Sequence, residues 1–293
     1  MNQKNWRWWR NKPINLQQTR QNLKEKLALG DCDAPGETSL VLLQHILRQP
    51  KTWVLSHSEY KPTPAEHTAL HESADQYLQG IPLPYILGSW DFFGRTFLIT
   101  PDVLIPRPET EALVELALVH ARHMQNPRII DVGTGSGCIA VSLAAELSTA
   151  AVLGVDLSLA ALRVAQLNAR QLGQSRIRFL QADLLTPFAA QFDLICANLP
   201  YIPSQALANL SVSRWEPRLA LDGGESGLEA IQRLLHQAQH RLAPNGVILL
   251  ETDSALGAET LLAAQQAFPN AHHRLIRDLA GHDRMVEIRQ GSQ

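Results

Sequence analysis

The chain has 293 residues, 45% of them hydrophobic and 18% charged, with a formal net charge of -2. This composition is that of a globular protein with a packed core, and the length is sufficient for two domains. No apolar run approaches the roughly 20 residues that cross a bilayer, and no apolar segment follows the charged start as in a secretion signal, so we expect a cytoplasmic protein without a membrane partner.

Positive charge is concentrated at the start of the chain. Residues 1–26 contain seven Lys or Arg and one Glu, whereas residues 102–293 contain 15 Arg, no Lys and 19 acidic residues. A mildly acidic region is a poor match for the phosphates of a nucleic acid, which we therefore do not expect as a partner of this region. The basic, aromatic residues 6–10 are the exception: they either contact RNA or an anionic surface, or dock on the first helix or fray in solvent.

The first part of the chain carries a helical pattern. Apolar side chains recur at helical spacing through residues 14–80, for example at Leu40, Leu43 and Leu47, with breaks at residues 33–36 and 61–64. This pattern predicts a small helical domain over residues 1–84. Aromatic and β-branched side chains with glycines follow in residues 85–99, which predicts a β-hairpin. We place that hairpin as a linker, residues 85–100, before a second domain of residues 101–293.

The second domain alternates predicted strands and helices. Helical patterns lie around residues 138–147, 158–172 and 228–242, between apolar segments that resemble buried strands. Continuous apolar strands separated by amphipathic helices predict a mainly parallel α/β sheet covered on both faces. The predicted strands are residues 128–132, 151–156, 176–181, 192–197, 247–251, 274–279 and 285–288.

A glycine-rich turn follows the first strand of this domain. Asp131 is followed by Gly133, Gly135 and Gly137, and a helix is predicted to start at Cys138. Nicotinamide and flavin enzymes also carry such a turn, but their fingerprint requires Gly or Ala where this chain has Cys138. Glycines at every second position behind an acid are instead typical of S-adenosylmethionine (SAM) enzymes, where missing side chains let the cofactor approach the backbone.

Acidic residues follow the next two strands. Asp156 ends the second strand and is placed to accept hydrogen bonds from two ribose hydroxyls, although NAD uses such an acid as well. Asp183 follows the third strand, where it would face the adenine amino group while Leu184 packs on the ring. Each acid alone is equally well explained as a helix cap or turn residue.

The fourth strand ends in Asn198, Leu199, Pro200 and Tyr201. The Asn198 side-chain oxygen and the Leu199 carbonyl can each accept one N–H bond from a planar NH2 group, with Tyr201 against its flat face. Taken alone, the tetrapeptide is more simply explained as a turn that ends a strand. Together, the four strand ends predict a SAM site formed by Asp131, Gly133, Thr134, Gly135, Ser136, Gly137, Asp156, Asp183, Leu184 and Asn198.

Three longer segments carry a resemblance to a known family. Residues 103–111 (VLIPRPETE), 216–227 (EPRLALDGGESG) and 278–284 (DLAGHDR) are similar to signatures of the HemK-type glutamine methyltransferases, which modify peptide chain release factors. The resemblance implies a class I methyltransferase fold, with a seven-stranded sheet whose last strand is antiparallel, behind a helical domain that grips the substrate protein.

The resemblance also implies the reaction and its residues. The reaction would be SAM-dependent methylation of the glutamine side-chain amide in the Gly-Gly-Gln loop of release factors. The substrate motif of the family corresponds to residues 198–201, so we expect Asn198, Pro200 and Tyr201 to act in catalysis and Leu199 to contribute its carbonyl to substrate binding. An amide nitrogen is a poor nucleophile, and we expect its positioning to dominate the rate. The three cysteines lack metal-ligand spacing, and no metal is expected.

Two departures from the family pattern keep alternatives open. The family usually has Asn-Pro-Pro-Tyr where this chain has Leu199, and Asn-Leu-Pro-Tyr also occurs in ribosomal RNA adenine dimethyltransferases. Methylation of an adenine in RNA or DNA is therefore one alternative; methylation of a ribosomal-protein glutamine and a non-catalytic module that holds a translation factor are two others. Residues 251–254 read Glu-Thr-Asp-Ser where the family more often has Glu-Ile-Gly.

Two charged pairs receive weaker assignments. Arg107 and Glu109 either shape the cofactor site or contact substrate, or they cap a helix and form a salt bridge. His282 and Asp283 resemble a catalytic pair, but a turn before the last strand is the better interpretation.

Overall fold

A computed structural model describes residues 14–278 and 280–291 of the chain. The chain forms two compact units, one ending at Leu87 and the other beginning at Gly88. The prediction for residues 6–10 lies outside the described residues. In the part of the chain that the model describes, no helix is long and apolar enough to cross a bilayer.

The first unit is helical, as its apolar spacing predicts. Two of its helices begin with capping boxes. The Asn15 side chain accepts from the Gln18 backbone amide, and the Gln18 side chain accepts from the Asn15 backbone amide. Thr63 and Glu66 exchange the same two bonds. Leucines on the inner faces form the core, with Leu27, Leu42 and Leu43 fully buried. The helices are α1 (Leu16–Leu29), α2 (Pro35–Leu47), α3 (Lys51–Ser56), α4 (Pro64–Leu78) and α5 (Leu83–Leu87).

The hairpin predicted for residues 85–99 is shorter than expected. Residues up to Leu87 belong to α5, and the paired strands are β1 (Ser89–Phe92) and β2 (Arg95–Leu98). Pro84 near the start of α5 fits a first helical turn, because that turn needs no amide hydrogen from it. The hairpin lies within the second compact unit.

The second unit is built on a seven-stranded sheet. Its strands lie in the order β5-β4-β3-β6-β7-β9-β8; β3 to β7 run parallel, and β9 is antiparallel to both of its neighbours. This is the class I methyltransferase arrangement that the resemblance implies. The strands are β3 (Arg128–Val132), β4 (Ala151–Asp156), β5 (Arg178–Gln181), β6 (Phe192–Ala197), β7 (Leu242–Glu251), β8 (His272–Arg277) and β9 (Asp283–Arg289).

Seven α-helices accompany this sheet in the described residues of the second unit. Their apolar faces and the central strands share a core that includes Ile130, Ile195, Leu234 and Ile248, all almost fully buried. The helices are α6 (Pro108–Ala121), α7 (Cys138–Glu146), α8 (Leu159–Gln171), α9 (Ser204–Leu207), α10 (Arg218–Leu221), α11 (Glu229–Ala238) and α12 (Gly257–Ala267).

The order of the strands decides where a ligand can bind. Strand β3 pairs with β4 on one side and with β6 on the other. Successive strands are added outward in one direction from β3 to β5 and in the opposite direction from β6 to β7, so the switch point lies between β3 and β6. A crevice opens beyond the carboxyl ends of the strands at such a switch point, and open α/β sheets bind their ligands there. Val132 is level with both Val155 and Ala197, so the segments that follow these three strands emerge together.

Candidate active site

A cavity of about 240 Å³ lies at this switch point. Residues from the ends of four parallel strands line it, as the sequence predicts. They are Gly133 and Gly135 after β3, Asp156 of β4, Asp183 and Leu184 after β5, and Asn198, Leu199 and Pro200 after β6.

The glycine-rich turn presents its backbone to the cavity. Gly133 has a φ of 74° and Gly135 a φ of 55°, a region of backbone space that favours glycine. The amides of Gly133 and Thr134 both donate to the Val155 carbonyl at 2.9 Å, and the Gly135 amide donates to the Asp156 carboxylate at 2.9 Å. The turn is thus fastened to strand β4.

The other predicted residues of this turn face the protein. Asp131 is fully buried and accepts hydrogen bonds from the Thr134 hydroxyl at 2.6 Å and the Ala140 amide at 3.1 Å. The Ser136 carbonyl accepts from the Asn168 side chain, and Gly137 lies close against α8. Asp131, Thr134, Ser136 and Gly137 therefore shape the loop without being among the residues that line the cavity.

Burial is the first influence on the carboxyl group of Asp131. Removal from water raises its pKa to about 7, while the hydrogen bonds from Thr134 and Ala140 oppose that rise. One carboxyl oxygen, Oδ1, is buried without a hydrogen-bond partner among the described residues.

Asp156 is held at both oxygens by backbone amides. Its Oδ1 accepts from Ser158 at 2.8 Å and its Oδ2 from Gly135 at 2.9 Å. Burial raises the pKa of Asp156, and the Ser158 and Gly135 bonds act in the opposite direction. Because a carboxylate has about four acceptor positions, this one can still bind two hydroxyl groups.

Asp183 and Leu184 lie where the third strand ends, but Asp183 has a partner that the sequence did not reveal. Arg233 of α11, which also lines the cavity, forms an ion pair with Asp183 at 2.5 Å. Leu184 adopts a φ of 54°, an unusual conformation for a leucine, and lines the cavity next to this pair.

The Asn-Leu-Pro-Tyr segment places each of its side chains differently. Asn198 is half-buried and donates from Nδ2 to the Thr110 hydroxyl at 3.2 Å. Leu199 is buried and belongs to the hydrophobic core, and Pro200 lines the cavity. Tyr201 is outside the cavity lining; burial, followed by the negative charges of Glu251 and Asp253, raises its pKa to about 12.

Residues 216–227, a motif identified only by its resemblance to the family signature, form backbone hydrogen bonds with the chain that follows this segment. The Ile202 amide donates to Leu221 at 3.1 Å, and the Gly223 amide donates to Ile202 at 2.9 Å. A β-carbon on Gly223 would stand 2.8 Å from the Pro200 carbonyl oxygen and from Tyr201 Cα. Only glycine allows this approach, which explains the first of the two glycines of the motif.

The same motif is joined to residues 103–111 by a buried charge. Glu216 forms an ion pair with Arg107 and accepts from the Ile105 amide at 3.2 Å. Arg107 precedes α6 and makes no side-chain capping bond there. The helix cap expected of Arg107 is therefore not formed by its side chain, and its salt bridge is made with Glu216, 109 residues away.

Glu251 lies next to the cavity-lining Asn198, and in the sequence it stood out only as part of a departure from a family pattern. It ends β7, is 4% exposed, and lies beside Thr110 and Asn198. Burial raises its pKa to about 7. The next largest effects are hydrogen bonding from Thr110, which lowers the pKa, and the negative charge of Glu109, which raises it. An acid at the end of an apolar strand was the available signal.

His282 lies in the turn that precedes β9, as predicted from the sequence, and Asp283 is the first residue of that strand. The Asp278 amide donates to the His282 carbonyl at 2.9 Å, and Asp283 pairs with Arg277 at 2.8 Å. Neither residue lines the cavity described above.

Comparison with known proteins gives matches over both units. A family model described as a PrmC N-terminal domain matches residues 16–88, and one described as a methyltransferase domain matches residues 123–281. A release factor glutamine methyltransferase of Bordetella pertussis is 42% identical, covering 90% of this chain and 97% of its own. One of Moorella thermoacetica is 39% identical, covering 92% and 97%.

A solved structure shows the same fold at lower identity. The T. thermophilus 16S rRNA N2 G1207 methyltransferase, in complex with AdoMet and guanosine, aligns with a TM-score of 0.52 and 20% identity. The alignment covers 69% of this chain and 49% of that one. At this identity the likeness concerns the fold alone.

Proposed function

The chain belongs to the release factor glutamine methyltransferase family, and we propose that it methylates the side-chain amide nitrogen of the glutamine in the Gly-Gly-Gln loop of peptide chain release factors, with SAM as methyl donor. The structural observation that supports the proposal is a cavity shared by the two predicted binding segments. Asn198, Leu199 and Pro200 follow β6 and line the same cavity as the glycine turn and Asp156, so acceptors for an amide lie beside a nucleotide-type site.

The residues that line the cavity fit SAM. The exposed backbone of Gly133 and Gly135 leaves room for the methionine end, and Asp156 has acceptor positions for the ribose hydroxyls. Asp183 and Leu184 are proposed to contact the adenine. Asp131, Thr134, Ser136 and Gly137 hold the loop in the conformation that binding requires. When bound, SAM supplies a methyl group on a positively charged sulfur, which is electrophilic without a metal.

The residues after β6 are proposed to orient the substrate. The lone pair of an amide nitrogen is shared with the carbonyl, so the nitrogen attacks only when it is well placed. The Asn198 Oδ1 and the Leu199 carbonyl accept the two N–H bonds, direct the nitrogen toward the methyl group, and favour the positive charge that develops on it. Orientation of this kind lowers a barrier by up to roughly 7–11 kcal/mol. Pro200 is proposed to pack against the amide plane, and the same role is proposed for Tyr201, although Tyr201 is not part of the cavity lining.

The remaining assignments concern the substrate protein. We propose that the helical domain, residues 1–84, holds the release factor, that residues 85–100 link the domains, and that residues 101–293 carry out the transfer. A release factor substrate places the reaction in the cytoplasm, where translation takes place. No nucleic-acid partner is proposed for residues 101–293.

Transfer of label from SAM tests the proposal. The purified enzyme is incubated with a release factor, with the same factor carrying Gln→Ala in its Gly-Gly-Gln loop, with ribosomal proteins, and with naked ribosomal RNA. Label on the unmodified factor alone is the expected result. Label on a ribosomal protein or on the RNA alone would assign the activity to that substrate and overturn the proposal.

A further inference from the structure

The orientation of the Asn198 side chain is set by residues outside the Asn-Leu-Pro-Tyr segment. Its Nδ2 donates to Thr110 Oγ1 at 3.2 Å, and Thr110, in the first turn of α6, is 2% exposed. Within residues 14–278 and 280–291, no group donates a hydrogen bond to Asn198 Oδ1. The amide therefore has its NH2 group bound by the protein and its oxygen available.

Glu251 completes this arrangement from the neighbouring strand. Ala197 of β6 is level with Leu250 of β7, so the two strands deliver Asn198 and Glu251 side by side. Thr110 and Asn198 both lie close enough to the Glu251 carboxyl group for their hydrogen bonding to favour its charged form. Its Oε2 is buried without a partner in the described part of the chain.

The chemistry of these groups makes the two orientations of the Asn198 amide unequal. A hydroxyl has one hydrogen to donate, and Glu251 in its ionised form, which prevails above its pKa of about 7, has none. With Nδ2 on this side, the amide donates to Thr110 at 3.2 Å and has a second N–H to offer Glu251, and the Thr110 hydrogen also remains for Glu251. With Oδ1 there instead, three acceptors would compete for the one hydrogen of Thr110, and a buried acceptor would be left unpaired.

We propose that Thr110 and Glu251 are positioning residues that hold the NH2 group of Asn198 toward the protein, so that Oδ1 faces the substrate amide. This inference rests on the proposed function, since it concerns how Asn198 receives the glutamine NH2. A reversed Asn198 would present N–H donors to the N–H donors of the substrate, and the clamp would repel the group that it has to orient.

Substitution at Thr110 separates this role from packing. Thr110→Val replaces the hydroxyl with a methyl group of similar size, and Thr110→Ser keeps the hydroxyl. For methylation of a release factor at saturating SAM, we expect Thr110→Val to lower kcat about 100-fold and Thr110→Ser to stay within about threefold of the wild type. SAM affinity, measured by calorimetry, should change less than about twofold in both variants. Full kcat in Thr110→Val, equal losses in both variants, or a parallel loss of SAM affinity would overturn the proposal.

Glu251 is tested in the same way. Glu251→Met removes the acceptor and should lower kcat about 100-fold, and Glu251→Gln, which keeps an acceptor oxygen but adds an NH2 donor that would satisfy a reversed Asn198, should lower kcat by a smaller factor. Wild-type kcat in Glu251→Met would contradict a role in orienting Asn198.

A measurement without substrate keeps this test independent of the proposed function. The side-chain NH2 protons of Asn198 are assigned in NMR spectra by their loss in Asn198→Ala, and their exchange with solvent is followed. Slow exchange in the wild type and Thr110→Ser with fast exchange in Thr110→Val supports the proposal, even if the wild type leaves the release factor unlabelled and the proposed function fails. Equal exchange in the wild type and Thr110→Val overturns it.

Discussion

The side chain of Leu199 lies directly against Gly133: a β-carbon built on that glycine would stand 3.0 Å from Leu199 Cδ2 and 3.5 Å from the Asn198 carbonyl oxygen. The contact joins the loop after β3 to the loop after β6, which form two sides of the proposed site. Leucine at the place where the resembled family usually has proline therefore has a packing role, and its backbone carbonyl is the acceptor that we propose for the substrate.

This contact makes a prediction for Gly133→Ala. The substitution forces an alanine into a φ of 74° and displaces Leu199, so SAM affinity should fall at least tenfold, on the order of 1.4 kcal/mol. The matched control is Gly173→Ala, which has a φ of 72° but no atom within 4 Å of its β-carbon. Both variants share the backbone strain of about 1–2 kcal/mol. Isothermal titration that shows the same SAM affinity for the two would rule out a role for the Leu199 contact.

The approach of Gly223 to the Pro200–Tyr201 backbone leads to a second prediction. Gly223→Ala should displace that backbone and lower turnover by about 100-fold, the usual cost of misplacing a substrate by about 1 Å. Gly36→Ala is the control, because its β-carbon would meet nothing within 4 Å. Steady-state kinetics with a release factor provide the measurement, and wild-type turnover in Gly223→Ala would show that the segment tolerates displacement.

Arg107 and Glu216 supply a third prediction, on stability and cofactor binding together. Arg107→Met leaves the Glu216 carboxylate buried without its cation, which should destabilise the protein by about 1–3 kcal/mol in urea unfolding. SAM affinity should fall as well, because both segments that this pair joins contribute to the cavity lining.

An exposed ion pair provides the comparison for this variant. Lys51 and Glu37 pair at 3.2 Å with side chains 51% and 70% exposed, and Lys51→Met should change stability by less than about 1 kcal/mol. Indistinguishable unfolding curves for Arg107→Met and Lys51→Met would mean that the buried pair contributes nothing particular.

The sequence predicted strands best where the signal was local. Strands β3, β4 and β6 have the predicted bounds, since each is a short apolar run that ends at a polar or glycine residue. Strand β7 begins at Leu242, five residues before the predicted start at Val247. The intervening Pro-Asn-Gly is a turn signal, but Leu242 pairs with Phe192 and the chain resumes pairing after a register shift.

The same limit applies to the site. Gly133, Asp156, Asp183 and Asn198 could be predicted because parallel strands deliver their ends to one edge of the sheet. The bond between Asn198 and Thr110 joins residues 88 positions apart, and the Arg107–Glu216 pair spans 109. No spacing rule within one element relates such residues, so their contacts required the folded chain.

Glu251 gives a prediction for the pH dependence of stability. Its pKa is about 7 in the folded protein against 4.5 for an unperturbed glutamate, so the folded state holds the proton more tightly. The resulting stabilisation is complete below about pH 4.5 and is lost as pH rises through about 7. Relative to Glu251→Gln, wild-type stability should decline by up to about 3 kcal/mol between pH 4 and pH 8.

Urea unfolding at several pH values measures this difference. Asp131, whose pKa is also raised to about 7, contributes to both proteins and cancels in the comparison. Glu225→Gln, which removes an exposed carboxylate, controls for the change in net charge. A difference between wild type and Glu251→Gln that is constant with pH would contradict the account of Glu251.

If Asn198 orients the substrate amide, Asn198→Ala should separate SAM binding from methyl transfer when SAM affinity and transfer to a release factor are measured on the same preparation. We expect SAM affinity to stay within about threefold of the wild type while transfer falls by at least about 100-fold. Undiminished transfer by Asn198→Ala would contradict it.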